Sequence, residues 1–306
     1  MNSAASKPAL VGIDWGTSSL RAFLIGAGGE VLDSIMSDEG IMHVPDRDFD
    51  AVFDRVVGSL PVGPGLPVLM SGMITSRNGW VETPYAQLPL GAERLAGSIV
   101  SHGTKTGAEV HFVTGAATEH KGGPDVMRGE ETQIVGVAAL GLTDGLFVMP
   151  GTHSKWVNLE GSGIANFSTY MTGEIFAALK DRTILGTLIE DGDYNGAGFE
   201  AGVAAGLEDS ADLLHNLFHV RTLPLMEMIP KPAVADYLSG LLIGTEISAA
   251  TQDVDTADHI TIVGRSDLSD RYEIALRLGG FQNRHAPNDV VARGHFEIAR
   301  YAGLIG

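Results

Sequence analysis

Four short segments of this 306-residue chain hold residue types that could bind phosphate and move a proton. The first is Asp14-Trp15-Gly16-Thr17-Ser18-Ser19. Successive N–H groups in a Gly/Ser/Thr turn form a concave anion site, and an aspartate at its mouth can hold Mg²⁺, usually through water. The same short pattern also describes an ordinary tight hairpin. The second, Gly151-Thr152-His153-Ser154-Lys155, offers another such turn and a cation, so that two turns could clamp a triphosphate. The third is Arg128-Gly129-Glu130-Glu131-Thr132-Gln133. Phosphorylating a hydroxyl needs a carboxylate to accept its proton, and an arginine can grip a carboxylate bidentately. Two acids here would equally suit the first turn of a helix. The fourth is the stretch from Ser71-Gly72-Met73 through Arg77, Asn78, Trp80 and Tyr85. It offers polar contacts and flat faces to a sugar, and competes with a reading of these aromatics as a cover for the core.

Other chemistries are excluded or disfavoured. There is no G-x-x-x-x-G-K-[ST] loop, no Rossmann fingerprint in its required setting, and no H-E-x-x-H among the ten histidines, so no zinc site is expected. The absence of cysteine removes disulfides, thiolate metal sites and thiol nucleophiles. A formal charge of −18 disfavours nucleic acid, which requires a basic face. No apolar run approaches the ~18 residues of a membrane span, and the polar start, Met1 to Lys7, lacks signal-peptide character. The expectation is a cytoplasmic protein with no membrane partner; a homodimer is left open.

These segments sit at the ends of recognisable elements. Apolar runs at 9–13, 20–25 and 31–36, separated by small-residue turns, predict three hairpin strands. Phe49, Val52, Phe53, Val56 and Val57 follow a helical period, and Pro67-Val68-Leu69-Met70 reads as a crossover strand. Residues 72–89 predict a long ordered loop, 110–113 a strand, and 129–140 a helix. A second cycle begins near Gly145, with strands at 146–149 and 156–159 and a Gly161-Ser162-Gly163 turn, and is read as a weak internal duplication. A helix follows over 233–250, where Gly240 and Gly244, one turn apart, would permit close approach of another element. The chain finishes with a strand at 259–263, a helix over 269–278, a strand at Val290-Val291-Ala292 and a helix over 296–301. The fold class expected is α/β with two lobes, 1–142 and 143–306, each a mixed sheet flanked by helices.

Ile13-Asp14-Trp15-Gly16-Thr17-Ser18-Ser19-Leu20-Arg21-Ala22 resembles the phosphate-1 motif of the sugar-kinase, actin and Hsp70 superfamily, with its actin-like (ribonuclease H-like) ATPase fold. Ser71-Gly72-Met73-Ile74, Met127 to Gln133, Val148 to Val157, Met171-Thr172-Gly173-Glu174 and Leu238 to Gly244 resemble the signatures of 2-dehydro-3-deoxygalactonokinases, over nearly the whole chain. That resemblance implies ATP with Mg²⁺, transfer to a C6 hydroxyl, and a place in galactonate breakdown. Glycerol-kinase-like enzymes carry a G-D-Q-x-A-A block with the catalytic aspartate. Gly129-Glu130-Glu131-Thr132 stands in its place here, and that correspondence favours Glu130 over Glu131 as base.

ATP is accordingly expected between the lobes. Asp14 would organise Mg²⁺, and Gly16, Thr17, Ser18, Gly151, Thr152 and His153 would line the phosphates, with charge from Lys155. Gly264-Arg265-Ser266 corresponds to the adenosine turn, with fewer glycines than usual. Arg128, Gly72, Met73, Trp80 and Tyr85 would meet the sugar acid. The alternatives are a kinase for the gluco epimer or another sugar acid, a phosphatase on the same fold, and a non-catalytic ATP-switch module.

Overall fold

A computed structural model describes residues 7–63, 65–120, 122–256, 258–264 and 266–306. The first cycle comprises β1 (Pro8–Trp15), β2 (Leu20–Gly26), β3 (Val31–Ser37), α1 (Phe49–Gly58) and β4 (Val68–Ser71). Then come β5 (Tyr85–Gln87), α2 (Ala92–Ala96), β6 (Val100–Gly103), β7 (Glu109–Phe112), β8 (Gly115–His120), β9 (Gly123–Met127) and α3 (Glu130–Ala139). The second cycle comprises β10 (Gly145–Met149), β11 (Ser154–Glu160), β12 (Gly163–Tyr170), α4 (Thr172–Arg182), α5 (Gly196–Glu208), α6 (Leu213–Leu225) and α7 (Val234–Ala250). It ends with β13 (His259–Ile262), α8 (Ser266–Leu278), β14 (Gln282–His285) and α9 (Val290–Tyr301).

The two cycles build sheets of the same order. One sheet runs β3-β2-β1-β4-β7-β6, the other β12-β11-β10-β13-β14. In each, three consecutive strands are followed by a fourth that returns beside the first, parallel to it: β4 on β1, β13 on β10. The duplication seen in the turn patterns is therefore a duplication of topology. A smaller sheet, β5-β8-β9, occupies part of the stretch expected as loop.

The chain divides into two compact units. One holds the residues up to Asp144 with Asn158–Phe167 and Pro287–Gly306; the other holds Gly145–Val157 and Ser168–Ala286. This differs from a single division at 142/143 because α9 packs with the first unit. Val290-Val291-Ala292, expected as a strand from its β-branched residues, is the first turn of that helix. Gly136 of α3 and Gly294 of α9 bring the two helix backbones together: a Cβ on Gly294 would collide with the Thr132 carbonyl, and one on Gly136 with the Val290 carbonyl. Burial on two sides, against α3 and against β1, overrides local strand preference.

In the second unit α7 is buried along most of its length. Gly240 and Gly244 do permit a close approach, and the element is α5: a Cβ on Gly240 would meet the Phe199 carbonyl, and one on Gly202 of α5 the Tyr237 carbonyl.

Overpacking such a contact typically costs about 1–3 kcal/mol. Gly294→Ala should therefore lower the unfolding free energy by that amount in urea titration. Gly58→Ala, where an added Cβ meets nothing within 4 Å, should change it by no more than ~0.5 kcal/mol. Equal stability of the two variants would contradict the α3–α9 contact.

Candidate active site

The Asp14 side chain ends β1, largely buried, opposite Arg21 in the β1–β2 ladder; the guanidinium reaches Asp14 Oδ2 at 2.5 Å. The turn between the two strands is tied from behind. Gly16 N–H donates to Ser19 O at 2.9 Å, and Ile41 and Met42 donate to the carbonyls of Gly16 and Thr17 at 3.0 and 3.2 Å. Thr17 and Ser18 are exposed, and their amides have no partner among the described residues. Trp15, which separates Asp14 from the turn, is fully buried and donates its indole N–H to Glu39 O at 2.8 Å.

Two glycines close around the Asp14 carboxylate. Gly72 follows β4 with φ of 97°, and Gly129 precedes α3 with φ of 110°. Both are backbone conformations that side chains disfavour. A Cβ on Gly72 would lie 2.8 Å from Trp15 O and 3.1 Å from Asp14 Oδ1; one on Gly129 would lie 3.1 Å from Gly72 Cα. Three chain segments thus meet beside one carboxylate, and α3 starts at that meeting point.

The two glutamates there differ in environment. Glu130 is half-buried and its Oε2 accepts the Arg128 N–H at 3.0 Å. Glu131 is buried and turned back on its own helix start: its two oxygens accept the Gly129 N–H at 3.0 and 2.8 Å, and Oε1 accepts the Thr132 hydroxyl at 3.2 Å. Burial, then the charge of Glu130, pushes the Glu131 carboxyl up to about 8. Below that pH Glu131 holds a proton.

The predicted sugar-contacting residues separate into two groups. Arg128 donates Nη1 to the hydroxyls of Thr75 and Thr83, both at 2.9 Å, and Nη2 to Thr83 O at 2.7 Å, with its guanidinium 4.0 Å above the Tyr85 ring. Its Nε is buried without a partner among the described residues. Tyr85 is exposed at the edge of β5. Trp80 lies elsewhere: its ring stacks on Phe49 (6.4 Å, 17°) and meets Trp15, Phe53, His102 and Phe112 edge-on or tilted at 5.6–6.4 Å. Its surroundings are those of a core-covering aromatic, and Met73 packs on the same cluster. Arg77 and Asn78 are exposed.

In the second unit the Gly151–His153 turn is overlaid by the start of α4. Glu174 N–H donates to Thr152 O at 2.9 Å, the Glu174 carboxylate pairs with His153 Nε2 at 2.5 Å, and a Cβ on Gly173 would lie 2.8 Å from Thr152 Cα. A cavity of about 220 Å³ opens beside this turn, lined among others by Gly151, Thr172, Gly173, Phe176, Leu242 and Tyr272. Lys155, expected to add charge at the turn, is a buried residue of β11 whose Nζ donates to Thr169 Oγ1 at 2.9 Å. Gly264 has φ of 158° and lies close to Pro150, where a Cβ would sit 3.7 Å from Pro150 Cδ. Arg265, expected beside the adenosine, falls outside the described residues.

Two buried groups were not singled out in the sequence. His295 of α9 pairs its Nε2 with Ser71 Oγ at 2.9 Å, and Ser71 is the ladder partner of Asp14. Glu246 of α7 accepts bonds from Trp156, Thr172 and Tyr272. A lone glutamate in an otherwise apolar helical stretch was the available signal for the second; nothing local marked the first. Among the described residues, one trio, Asp270, Glu273 and His285, brings potential metal-ligating atoms within 4.8 Å of one another on the second unit's surface.

The architecture is a two-cycle α/β fold shared with solved kinase structures. A ligand-bound xylulose kinase from Lactobacillus acidophilus superposes with a TM-score of 0.50 at 11% identity, over 96% of this chain and 89% of that one. Residues 14–298 match the 2-keto-3-deoxy-galactonokinase family, and the chain belongs to that family. The 2-dehydro-3-deoxygalactonokinase of Escherichia coli (strain K12) is 34% identical over 88% of this chain and 90% of its own. A Rhizobium meliloti (strain 1021) relative, to which the same activity is provisionally ascribed, is 35% identical over 95% and 96%. A Sinorhizobium meliloti crystal structure, provisionally named likewise, covers 95% of this chain and 98% of its own with a TM-score of 0.87 at 33% identity.

Two of the buried groups contribute opposite limbs to the pH response of the fold. Glu131, at about 8 when folded and 4.5 as its ordinary value, contributes stability that is full below pH 4.5 and lost as pH rises through 8. His295 is held at about 3, against 6.5, by burial and then by Arg21, so its contribution is full above pH 6.5 and lost as pH falls through 3. Melting temperature should therefore peak between these limbs, and Glu131→Gln should reduce the decline from pH 6.5 to 8, to which Glu246, also raised by burial, adds. A variant as pH-sensitive as the parent over that range would contradict the buried, protonated Glu131.

Proposed function

We propose that the protein transfers the γ-phosphoryl group of ATP to the C6 hydroxyl of 2-dehydro-3-deoxygalactonate, releasing ADP and the 6-phosphate, as its family membership and the names of its relatives imply. The observation that carries the residue assignment is the meeting of Asp14, Gly72 and Gly129 at the start of α3, which leaves Glu130 half-exposed and Glu131 internal. Glu130 accepts the hydroxyl proton as the C6 oxygen bonds to phosphorus and the bond to the β-phosphate oxygen breaks. Glu131, neutral at neutral pH and bonded to the Gly129 amide, holds the helix start in place.

The partnerless amides of Thr17 and Ser18 suit one set of phosphate oxygens, and the Gly151–His153 turn suits another. The apolar cavity next to Gly151 fits a nucleotide base. Arg128 and Tyr85 form the acid-binding surface. The threonine bonds fix the guanidinium plane and leave one Nη2 proton for the substrate carboxylate, Nε being buried. Asp14 fits Mg²⁺ as a hard oxygen donor: Arg21 occupies Oδ2, and Oδ1 lies beside the Gly72 and Gly129 backbones, so one carboxylate oxygen is available to a cation that keeps most of its waters. Bound Mg²⁺ supplies neutralising charge on the phosphates. No helix among the described residues is long and apolar enough to cross a membrane.

General-base removal typically costs about 10²–10⁴ in rate. Glu130→Gln should lose that much kcat with ATP, Mg²⁺ and 2-dehydro-3-deoxygalactonate while KM for the sugar acid moves less than about threefold. A folded Glu130→Gln enzyme with parental kcat would remove Glu130 from the mechanism.

A further inference from the structure

Glu246 stands near the end of α7, a helix whose only other charged residue is Asp236. Its carboxylate is buried, and an isolated carboxylate in that position would be strongly disfavoured. Three donors from three other elements converge on it. Trp156 Nε1 of β11 donates to Oε1 at 2.7 Å, Tyr272 of α8 donates its hydroxyl to Oε2 at 2.8 Å, and the Thr172 hydroxyl of α4 donates to Oε2. With the Tyr272 proton directed to the carboxylate, the Ser154 hydroxyl donates to the Tyr272 oxygen at 2.8 Å.

These donors frame the proposed nucleotide site. Ser154 directly follows the Gly151–His153 turn, and Thr172 opens the helix whose next residues, Gly173 and Glu174, lie on that turn. Thr172 and Tyr272 line the 220 Å³ cavity, whereas Glu246 does not. One carboxylate thus fixes the far end of the turn, the helix start above it and one wall of the cavity, all within the second unit.

We propose that Glu246 is a positioning residue of the nucleotide site, setting the geometry of the turn and cavity through Thr172, Tyr272 and Ser154 without touching ATP. The proposal rests on the reading that the second unit's cavity and turn receive the nucleotide. Replacing the carboxylate by an amide puts an N–H₂ group where donors converge, so at least one of them loses its acceptor. The loss should fall on ATP and spare the sugar acid, whose proposed contacts lie in the first unit.

The experiment is steady-state kinetics and calorimetry with a non-hydrolysable ATP analogue on the parent and on Glu246→Gln, with Thr172→Val and Thr172→Ser as a second pair. Loss of hydrogen bonds to a charged group predicts KM for ATP and Kd for the analogue raised about tenfold in Glu246→Gln, with KM for 2-dehydro-3-deoxygalactonate within about twofold. Thr172→Val should shift the same way, and Thr172→Ser, which keeps the hydroxyl, should restore parental values. A merely structural role would lower melting temperature and active fraction but leave both KM values unmoved, and that result would overturn the proposal. If Glu246→Gln fails to fold, the Thr172 pair decides: parental ATP affinity in Thr172→Val overturns it. A parent with no affinity for the analogue would instead overturn the nucleotide reading on which it stands.

Discussion

The backbones of Gly72 and Gly129 pass so close to each other, and to the Asp14 carboxylate, that no side chain fits between them. The rest of the first unit can be understood as the means of holding that approach. β1 and β4 run parallel with Asp14 beside Ser71 in register, so the carboxylate and the Gly72 turn leave the sheet at the same level. α3 is brought to them by the β9 connection at one end and by α9, packed against it through Gly136 and Gly294, along its side. Positive φ turns the chain sharply at both glycines, at Gly129 into the start of α3 and at Gly72 into the segment that Arg128 supports.

Electrostatics then divides the labour at that helix start. Two adjacent glutamates cannot both be buried and charged without large cost. The fold resolves this by turning Glu131 inward, where it is neutral near physiological pH and bonded to Gly129 N–H, and by leaving Glu130 in contact with solvent. Asp14, proposed above to serve the phosphates, is a largely buried carboxylate in a chain of net charge −18. Arg21, across the hairpin, pairs with it through one oxygen, and the other lies beside the Gly72 and Gly129 backbones.

Much of this was legible in the sequence because turns are local. The Asp14 and Gly151 turns, the duplicated strand pattern and the Gly240/Gly244 approach follow from small residues at fixed positions beside apolar runs. The features that escaped a sequence reading depend on partners far along the chain. Trp80 reads in sequence equally as a sugar-stacking face and as a cover for the core, and it is the distant Phe49, Phe53 and Phe112 around it that favour the second. Lys155 reads as a phosphate-turn cation until β12 supplies Thr169. The strand expected at 290–292 follows β-branched preference, which yields to a helix once α3 and β1 bury both of its sides. His295 and Ser71 are 224 positions apart, beyond any local pattern.

The proposed reaction is phosphoryl transfer to an acidic sugar from a site organised around Asp14 and Glu130. The most direct test measures ADP formation with ATP and Mg²⁺ in four parallel reactions: 2-dehydro-3-deoxygalactonate, its gluco epimer, a neutral hexose, and no acceptor. Strong turnover is expected with the galacto acid, and background rates with the hexose and without acceptor. Phosphate release at the same rate in all four would contradict it and identify a hydrolase on this fold.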